Sequence, residues 1–186
     1  MQQYDAIILG FGKAGKTLAG TLAAQGKRVA LVEKSPAMYG GTCINVGCIP
    51  SKSLVRSAGI AAQYADAPFA QKAKRYADAI AEKRRLTGML RQKNYDKLSS
   101  SPNATVYDGS ASFVDATHVQ VQTATQTLTI QGKQIFINTG ATSIAPKIQG
   151  IRDNPYVLFS DGLLDLDVLP RRLTIVGGGY IALEFA

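Results

Sequence analysis

The sequence predicts an α/β fold built around a parallel β-sheet. Residues 4–9 form a short, mostly apolar run that ends at a glycine, which is typical of a buried parallel strand. Residues 16–25 have apolar side chains at helical spacing and are followed by Gly26, a residue type that often ends helices. Residues 28–33 form a second apolar run, which completes a predicted βαβ unit of about thirty residues.

The rest of the chain changes between helical and strand patterns. A glycine-rich loop and a helix starting near Cys43 come next, and residues 54–98 then have a helical pattern interrupted near Pro68, which predicts a helical hairpin. Residues 105–138 are rich in Val, Ile, Thr and Phe with turn signals between the runs, which predicts a β-meander. Residues 173–176 form another apolar strand that enters a glycine-rich turn, so a second βα unit is expected there.

The composition narrows the class of protein. The chain has 186 residues, of which 46% are hydrophobic, enough for one sizeable core. No run reaches the roughly 18 apolar residues of a membrane span, and the N-terminus has no signal-peptide pattern. Two cysteines are too few for a secreted disulfide framework, whereas a close pair in a reducing compartment is more often catalytic or metal-binding. We therefore expect a cytoplasmic protein with no membrane partner.

The net charge of +8 raises the question of nucleic-acid binding. Nine Lys/Arg and three Asp/Glu lie between residues 72 and 97, so this helical stretch accounts for +6 of the +8. No helix-turn-helix, zinc-finger or RNA-binding motif accompanies it. A solvated helix face explains the charge better than a nucleic-acid partner does.

A glycine motif lies between the first predicted strand and helix. Residues 10–15 read G-F-G-K-A-G, and Glu33 ends the next strand about twenty residues further on, which is the context of a dinucleotide-binding fingerprint. In this motif the first glycine allows a tight turn, the second lets the pyrophosphate approach the backbone, and the third lets helix and sheet pack closely. The helix N-terminus attracts the phosphates, and Glu33 accepts ribose hydroxyls. The predicted cofactor-binding residues here are Gly10, Gly12, Lys13, Ala14, Gly15, Glu33 and Lys34.

Both cysteines of the chain, Cys43 and Cys48, lie just beyond this unit. In an ideal α-helix, residues five apart point about 140° away from each other, so a disulfide between them requires a backbone distortion that Gly47 can absorb. Such a bridge is comparatively easy to reduce, as a catalytic disulfide must be. The alternatives are two buried small hydrophobes or half of a zinc site. Zinc prefers four ligands and His118 is the only histidine, so we predict no metal site.

A family resemblance is visible at residues 40–52, which read G-G-T-C-I-N-V-G-C-I-P-S-K. They resemble the redox-disulfide motif of the flavin-dependent pyridine nucleotide–disulfide oxidoreductases, which include dihydrolipoamide dehydrogenase, glutathione reductase and mercuric reductase. The resemblance covers nearly the whole chain, since residues 139–141, 160–162 and 177–182 match further family motifs in order. The segments G-F-G-K-A-G-K and A-M-Y-G-G-T-C are most similar to a bacterial reactive-chlorine-resistance branch, whose mercuric-reductase-like members reduce copper(II) or mercury(II).

The resemblance implies catalytic roles for five residues. Cys48 would lie against the flavin as the charge-transfer thiol, and Cys43 would be the outer thiol that attacks the substrate. Lys52 would stabilise the reduced flavin near its N5 atom, and Glu184 would be the acidic partner of that lysine. Tyr180 would cover the nicotinamide site.

The resemblance also implies two cofactors, FAD and NAD(P)H. NAD(P)H would bind at the second glycine turn through Gly177 and Gly179, where Ala182 replaces a third glycine, a change the motif tolerates. Beyond the first glycine motif, the implied FAD-binding residues are Gly41, Thr42, Lys52, Ala111, Thr139 and Gly140.

The expected domains and function follow from the same resemblance. Residues 1–147 would form the first segment of a Rossmann-like, three-layer ββα FAD-binding domain, residues 148–170 a connector, and residues 171–186 the start of an NAD(P)H-binding domain. We expect the N-terminal part of a homodimeric enzyme of cell redox homeostasis. It would pass electrons from NAD(P)H through FAD to a Cys43–Cys48 disulfide, and on to a small-molecule disulfide or a copper(II) or mercury(II) ion. The alternatives are an FAD-binding fragment without turnover and a redox-sensing flavoprotein.

Overall fold

The computed structural model describes residues 1–186 and has the predicted α/β fold. The chain divides into two compact units. The first contains Met1–Asn45 and Gly88–Ala141, and the second contains Val46–Thr87 and Thr142–Ala186. This division groups segments by their contacts, whereas the domain boundaries at residues 147 and 170 follow the family resemblance and stay a prediction.

The first unit contains the sheet. Its elements are β1 (Gln2–Leu9), α1 (Lys13–Ala24), β2 (Val29–Glu33), a short 3-10 turn (Pro36–Met38), α2 (Gly41–Asn45), β3 (Ala104–Asp108), β4 (Ser110–Phe113), β5 (His118–Gln122) and β6 (Thr127–Ile137). The strand order is β3-β2-β1-β6-β5-β4. β1 lies between β2 and β6 and is parallel to both, with Ala6 opposite Val29 and Gln134. β4, β5 and β6 pair antiparallel.

One strand of the predicted meander lies elsewhere in the sheet. β3 pairs parallel with β2, with Ala104 opposite Val29, at the edge far from β4. The turn before β3 brings the chain to β2, where Val29 N donates to Asn103 O at 2.8 Å. The sequence pattern indicates a strand at this position but not its partner. The meander therefore consists of β4, β5 and β6, and the prediction that it starts at residue 105 is wrong.

Alternating side chains along β1 build two hydrophobic layers. On one face of the sheet, Ile7 and Leu9 pack with Val119 and Val121 of β5. On the other face, Ile8 belongs to the cluster that includes the buried side of α1. The meander, the parallel strands and the helices thus form the three ββα layers that the sequence predicts.

The second unit is mainly helical. Its elements are α3 (Cys48–Ala61), a 3-10 turn (Ala62–Tyr64), α5 (Ser160–Leu163) and α6 (Tyr180–Phe185), while α4 (Phe69–Ser99) belongs to both units. α4 begins directly after Pro68, as the predicted interruption requires. Tyr76 donates from its hydroxyl to Leu166 O at 2.8 Å, and the buried Lys83 donates to Asp165 at 2.7 Å. These two bonds hold residues 165–166 to α4.

The predicted strand at residues 173–176 is not formed. No strand pairs with this segment, and Val176 is 78% exposed. A strand needs a hydrogen-bonded neighbour, and apolar composition alone does not supply one. The helical half of the predicted second βα unit does form, as α6.

α4 contains the basic stretch noted in the sequence. Several of its cations are paired within the chain: Lys74 with Asp78, Lys83 with Asp165, Arg84 with Asp165 and Asp167, and Arg85 with Glu82. Lys74, Arg84 and Arg85 are exposed, as expected of a solvated helix face, whereas Lys83 is buried. α4 is 31 residues long, and no helix of the structure is both long and apolar enough to cross a membrane.

Candidate functional site

The first glycine motif forms a turn that has no room for a side chain at two of its glycines. Gly10 has a φ of +107°, and a Cβ added to it would lie 2.2 Å from Asn138 O. A Cβ added to Gly15 would lie 2.3 Å from Gly10 O. Real atoms do not approach so closely, so both positions require glycine. The strand–turn–helix context predicted for this motif is present.

Asn138 organises this turn and is not among the site residues predicted from the sequence. It directly follows β6, and its N–H donates to Leu9 O at 2.8 Å. Its side-chain amide donates from Nδ2 to Gly10 O at 3.2 Å and would lie 3.0 Å from a Cβ on Gly12. A polar residue at the carboxyl end of a strand next to β1 is the one signal that could have found it.

Glu33 lies at the end of β2 with its carboxylate held by two backbone groups. Oε2 accepts from Phe11 N at 2.8 Å, and Oε1 accepts from Ser35 N at 3.1 Å. Each carboxylate oxygen has a further lone pair, so the half-buried group can still accept ribose hydroxyls. Lys34 next to it is exposed.

The start of α1 is open toward a ligand. Gly12 caps the helix with no side-chain hydrogen bond, and Lys13 and Ala14 in the first turn are exposed. A Cβ on Gly41 would lie 2.5 Å from Gly12 Cα, so α2 begins directly against this turn, where Thr42 is exposed. A turn with glycine at positions 10, 12 and 15, directly before a helix N-terminus that no side chain caps, suits a pyrophosphate, so these residues fit FAD.

An aromatic group supports the segment between β2 and α2. Tyr39 is buried, its ring lies 5.0 Å from that of Phe11 and 4.8 Å from that of Tyr95, and its hydroxyl donates to Asp108. Burial first, and then the hydrogen bond to Asp108, raise the pKa of Tyr39 well above its usual range. Its hydroxyl therefore stays protonated as the donor. No short sequence motif predicts this cluster of aromatic residues around Tyr39.

The two cysteines lie on consecutive helices rather than on one. Cys43 is the third residue of α2 and is half-buried, whereas Cys48 is the first residue of α3 and is exposed. Gly47 separates the helices with φ −141° and ψ −116°, a conformation outside the helical region. The helix expected near Cys43 is therefore interrupted at Gly47, the residue predicted to absorb a distortion. Asn45 fixes the end of α2 by donating from Nδ2 to Gly41 O at 2.9 Å.

In the second unit, Lys52 and Glu184 form an ion pair, although they lie 132 positions apart. Tyr180 is 77% exposed at the start of α6. Gly177 has a φ of +121°, but Cβ atoms on Gly177 and Gly179 would meet nothing within 4 Å. The second glycine turn thus has the local backbone of a nucleotide-binding turn without packed neighbours.

The remaining predicted FAD residues lie in the first unit. Ala111 is an exposed residue of β4, and Thr139 and Gly140 are exposed directly after Asn138.

His118, the one histidine of the chain, pairs with Asp115 at 2.8 Å. The structure has no group of three or more His, Cys, Asp or Glu that could hold a metal ion.

A glycine turn shaped for a dinucleotide, followed in the chain by a close pair of cysteines, defines the class of nucleotide-dependent oxidoreductases that act through thiols. The chain belongs to the pyridine nucleotide-disulphide oxidoreductase family, whose model matches residues 4–186. Members of this family use FAD and a pyridine nucleotide. The predicted family, fold class and cofactors are thereby confirmed.

Individual relatives agree with this assignment. The chain is 50% identical over 186 residues to a probable pyridine nucleotide-disulfide oxidoreductase, RclA of Escherichia coli (strain K12), covering 100% of this chain and 40% of that protein. It is 36% identical to a mercuric reductase of Lysinibacillus sphaericus, covering 97% of this chain and 33% of that protein. The chain thus spans two fifths or less of the length of these relatives.

A solved structure matches the fold. It is the Cu(II) complex of the HOCl-induced flavoprotein disulfide reductase RclA from Escherichia coli, with a TM-score of 0.89 and 49% sequence identity. The match covers 100% of this chain and 39% of that one. The likeness to the reactive-chlorine-resistance and mercuric-reductase-like branch predicted from the sequence is therefore confirmed.

Proposed function

We propose that this chain holds FAD in an oxidoreductase that passes electrons from NAD(P)H through FAD to a Cys43–Cys48 disulfide. The substrate reduced in turn is a small-molecule disulfide or a thiophilic metal ion such as copper(II) or mercury(II). The observation that carries the proposal is the turn at residues 10–15, which has no room for a side chain at Gly10 or Gly15 and is held by Asn138. The redox motif at residues 40–52 and the family membership supply the chemistry.

Each part of the site has a task in this proposal. The turn from Gly10 to Gly15 and the first turn of α1 bind the pyrophosphate, and Glu33 binds the ribose. When bound, FAD supplies a hydride acceptor for the nicotinamide and an electron donor for the disulfide. Lys52, held by Glu184, would supply a positive charge to the bound flavin. Gly41, Thr42, Ala111, Thr139 and Gly140 complete the FAD site, and Gly177, Gly179 and Tyr180 belong to the nicotinamide site.

The two cysteines account for all the electrons, protons and leaving groups of the thiol reaction. Two electrons and two protons convert the Cys43–Cys48 disulfide into a dithiol. The Cys43 thiolate attacks one sulfur of a substrate disulfide and releases the first thiol, and Cys48 then attacks Cys43 to release the second and restore the bridge. With a metal-ion substrate, the same two electrons reduce one mercury(II) or two copper(II) ions.

A second candidate is an FAD-binding module without turnover. Residues 173–176 form no strand, and the glycine turn after them has no packed neighbours. These observations favour a chain that binds FAD but lacks an assembled nicotinamide site. The two candidates differ in whether a reduced nicotinamide bleaches the bound flavin.

The test is flavin binding followed by reduction. We expect the chain to stay yellow after saturation with FAD and desalting, and to bleach on anaerobic addition of NADH or NADPH. The reduced protein should then show a long-wavelength thiolate-to-flavin absorption that Cys48→Ser abolishes. Yellow protein that does not bleach would favour the binding module, and colourless protein would contradict both candidates. A band that survives in Cys48→Ser would reverse the order of the two thiols.

We also infer that the assembled protein is a cytoplasmic homodimer of cell redox homeostasis, with no nucleic-acid or membrane partner. The close cysteine pair suits a reducing compartment, and the paired cations of α4 are poorly arranged to bind phosphates. Residues 1–147 form the FAD-binding part in this proposal, with 148–170 as connector and 171–186 as the start of the NAD(P)H-binding part. Light scattering after gel filtration would detect the dimer.

A further inference from the structure

Helices α1 and α2 meet at two glycines, and this contact places a lysine. The first turn of α2 lies against the first turn of α1, because a Cβ on Gly41 would be 2.5 Å from Gly12 Cα. Lys16 follows Gly12 by one helical turn, and its N–H donates to Gly12 O at 2.9 Å. Residues four apart share one side of a helix. Lys16 therefore lies on the side of α1 that faces α2, of which Cys43 is the third residue.

Helix α4 fixes the ammonium group of this lysine. Lys16 Nζ donates to Asn94 Oδ1, and Asn94 donates from Nδ2 to Leu90 O at 2.6 Å. The same amide lies beside the turn into α2, since a Cβ on Gly40 would be 3.5 Å from Asn94 Nδ2. The half-buried Lys16 is thus anchored next to the residues that lead to Cys43.

Burial and neighbouring charges act on Lys16 in opposite directions. Burial has the largest effect and lowers the pKa of Lys16, whereas the charge of Cys43 raises it. Lys13 of α1 and Lys97 of α4 lower it further. Cys43 has this effect on Lys16 only when its thiol is ionised. An attraction between two charges is mutual, so the Lys16 cation also favours the thiolate of Cys43.

We propose that Lys16, anchored by Asn94, is a positioning residue that holds a positive charge beside Cys43 and keeps its sulfur in the reactive thiolate form. This inference rests on the proposed function, which assigns to Cys43 the attack on substrate. The thiolate is the nucleophile in disulfide exchange, so a fixed cation at this position speeds the attack at neutral pH.

The experiment measures alkylation of Cys43 by iodoacetamide, a neutral reagent that the lysine charge does not attract. Cys48→Ser is the background, so that one thiol remains. Lys16→Met should slow alkylation at pH 7 by about three- to tenfold, because less of the thiol is ionised. Lys16→Arg should keep most of the rate. Lys93→Met removes an exposed cation from α4 next to Asn94 in the chain and should leave the rate unchanged.

Three results would overturn the inference: no slowing in Lys16→Met, equal slowing in Lys93→Met, or Lys16→Arg as slow as Lys16→Met. Circular dichroism establishes that each variant is folded. If Lys16→Met does not fold, the inference is tested instead by measuring the alkylation rate of Cys43 against pH in the Cys48→Ser chain. The midpoint of this pH profile should lie below the ordinary thiol value of about 8.5, and a midpoint at or above that value contradicts the inference. The assay needs neither FAD nor NAD(P)H, so loss of flavin binding with slowed alkylation would contradict the proposed function alone.

Discussion

The two glycine turns of this chain share a local backbone and differ in their neighbours. Gly10 and Gly177 have φ values of +107° and +121°. The helices that follow are capped by Gly12 and Gly179, whose φ/ψ values are −67°/174° and −76°/175°. In the first turn, a Cβ on Gly10 would lie 2.2 Å from a backbone oxygen, whereas Cβ atoms on all three glycines of the second turn would meet nothing within 4 Å.

This difference separates the features of a glycine motif that depend on neighbouring residues in the sequence from those that depend on tertiary contacts. Positive φ and an extended cap are set within a few residues, and both turns have them. The close approach that makes glycine obligatory comes from β6, which pairs with β1 and brings Asn138 against the first turn. Residues 173–176 pair with no strand, so nothing confines the second turn.

The largest expected effect is on stability, from a methyl group placed in each turn. Gly10→Ala should lower the free energy of unfolding by about 3 kcal/mol or more, because it combines positive φ with a backbone clash. Gly177→Ala is the matched control, because it shares the positive φ but a Cβ there meets nothing within 4 Å, and it should cost only about 1 kcal/mol of backbone strain. Urea unfolding midpoints measure both. Equal losses at the two positions would break the comparison.

The next effect is on FAD affinity. Glu33→Ala should weaken FAD binding by about 1–3 kcal/mol, because ribose hydroxyls and the N–H groups of Phe11 and Ser35 lose their acceptor. Glu82→Ala removes an exposed carboxylate from α4 and serves as the control. Titration of FAD fluorescence measures the affinity. Unchanged affinity in Glu33→Ala would show that this carboxylate does not bind the ribose.

A smaller effect on stability tests the contact between Asn138 and the first glycine turn. Asn138→Ala should cost about 1 kcal/mol of stability, because Gly10 O loses a donor. It should also make Gly12→Ala better tolerated, since the nearest atom to a Cβ on Gly12 is Asn138 Nδ2 at 3.0 Å. A double-mutant cycle in urea measures this coupling. Strictly additive losses would contradict the contact.

The smallest effect is a pH dependence in each unit. Bonds from the Thr117 N–H and then from His118 lower the pKa of Asp115 from 3.8 to about 2. A lowered carboxyl pKa stabilises the fold above pH 3.8, and this contribution is lost as the pH falls toward about 2. Asp115→Asn should therefore flatten the acid-induced loss of stability in the first unit. Asp165→Asn should do the same in the second unit, where chiefly Lys83 lowers the pKa of Asp165.

The sequence predicts those parts of the fold that depend on nearby residues. β1, α1 and β2 follow from apolar periodicity and glycine spacing, and the interruption at Gly47 follows from the helical geometry of Cys43 and Cys48. The position of β3 beside β2 is not predictable in this way, because strand pattern does not name a partner.

The site residues also differ in whether nearby sequence predicts them. The residues of the glycine turn and Glu33 are predictable from a short motif. Asn138 is not, since it acts on Gly10 from 128 positions away. Lys52 and Glu184 are also remote in sequence, and only the family resemblance indicated their pairing.

The long parallel pairing of β6 with β1, from Gln2 opposite Ile130 to Leu9 opposite Ile137, has a consequence for biosynthesis. β1 and β2 leave the ribosome early, yet β6, the strand of the meander that pairs with β1, follows only after about a hundred further residues. At typical rates of about 5–20 residues per second, the edge of β1 stays open for about 5 to 20 s. Asn138 emerges at the end of β6, so a nascent chain acquires its nucleotide turn only when the last strand of the sheet has been translated.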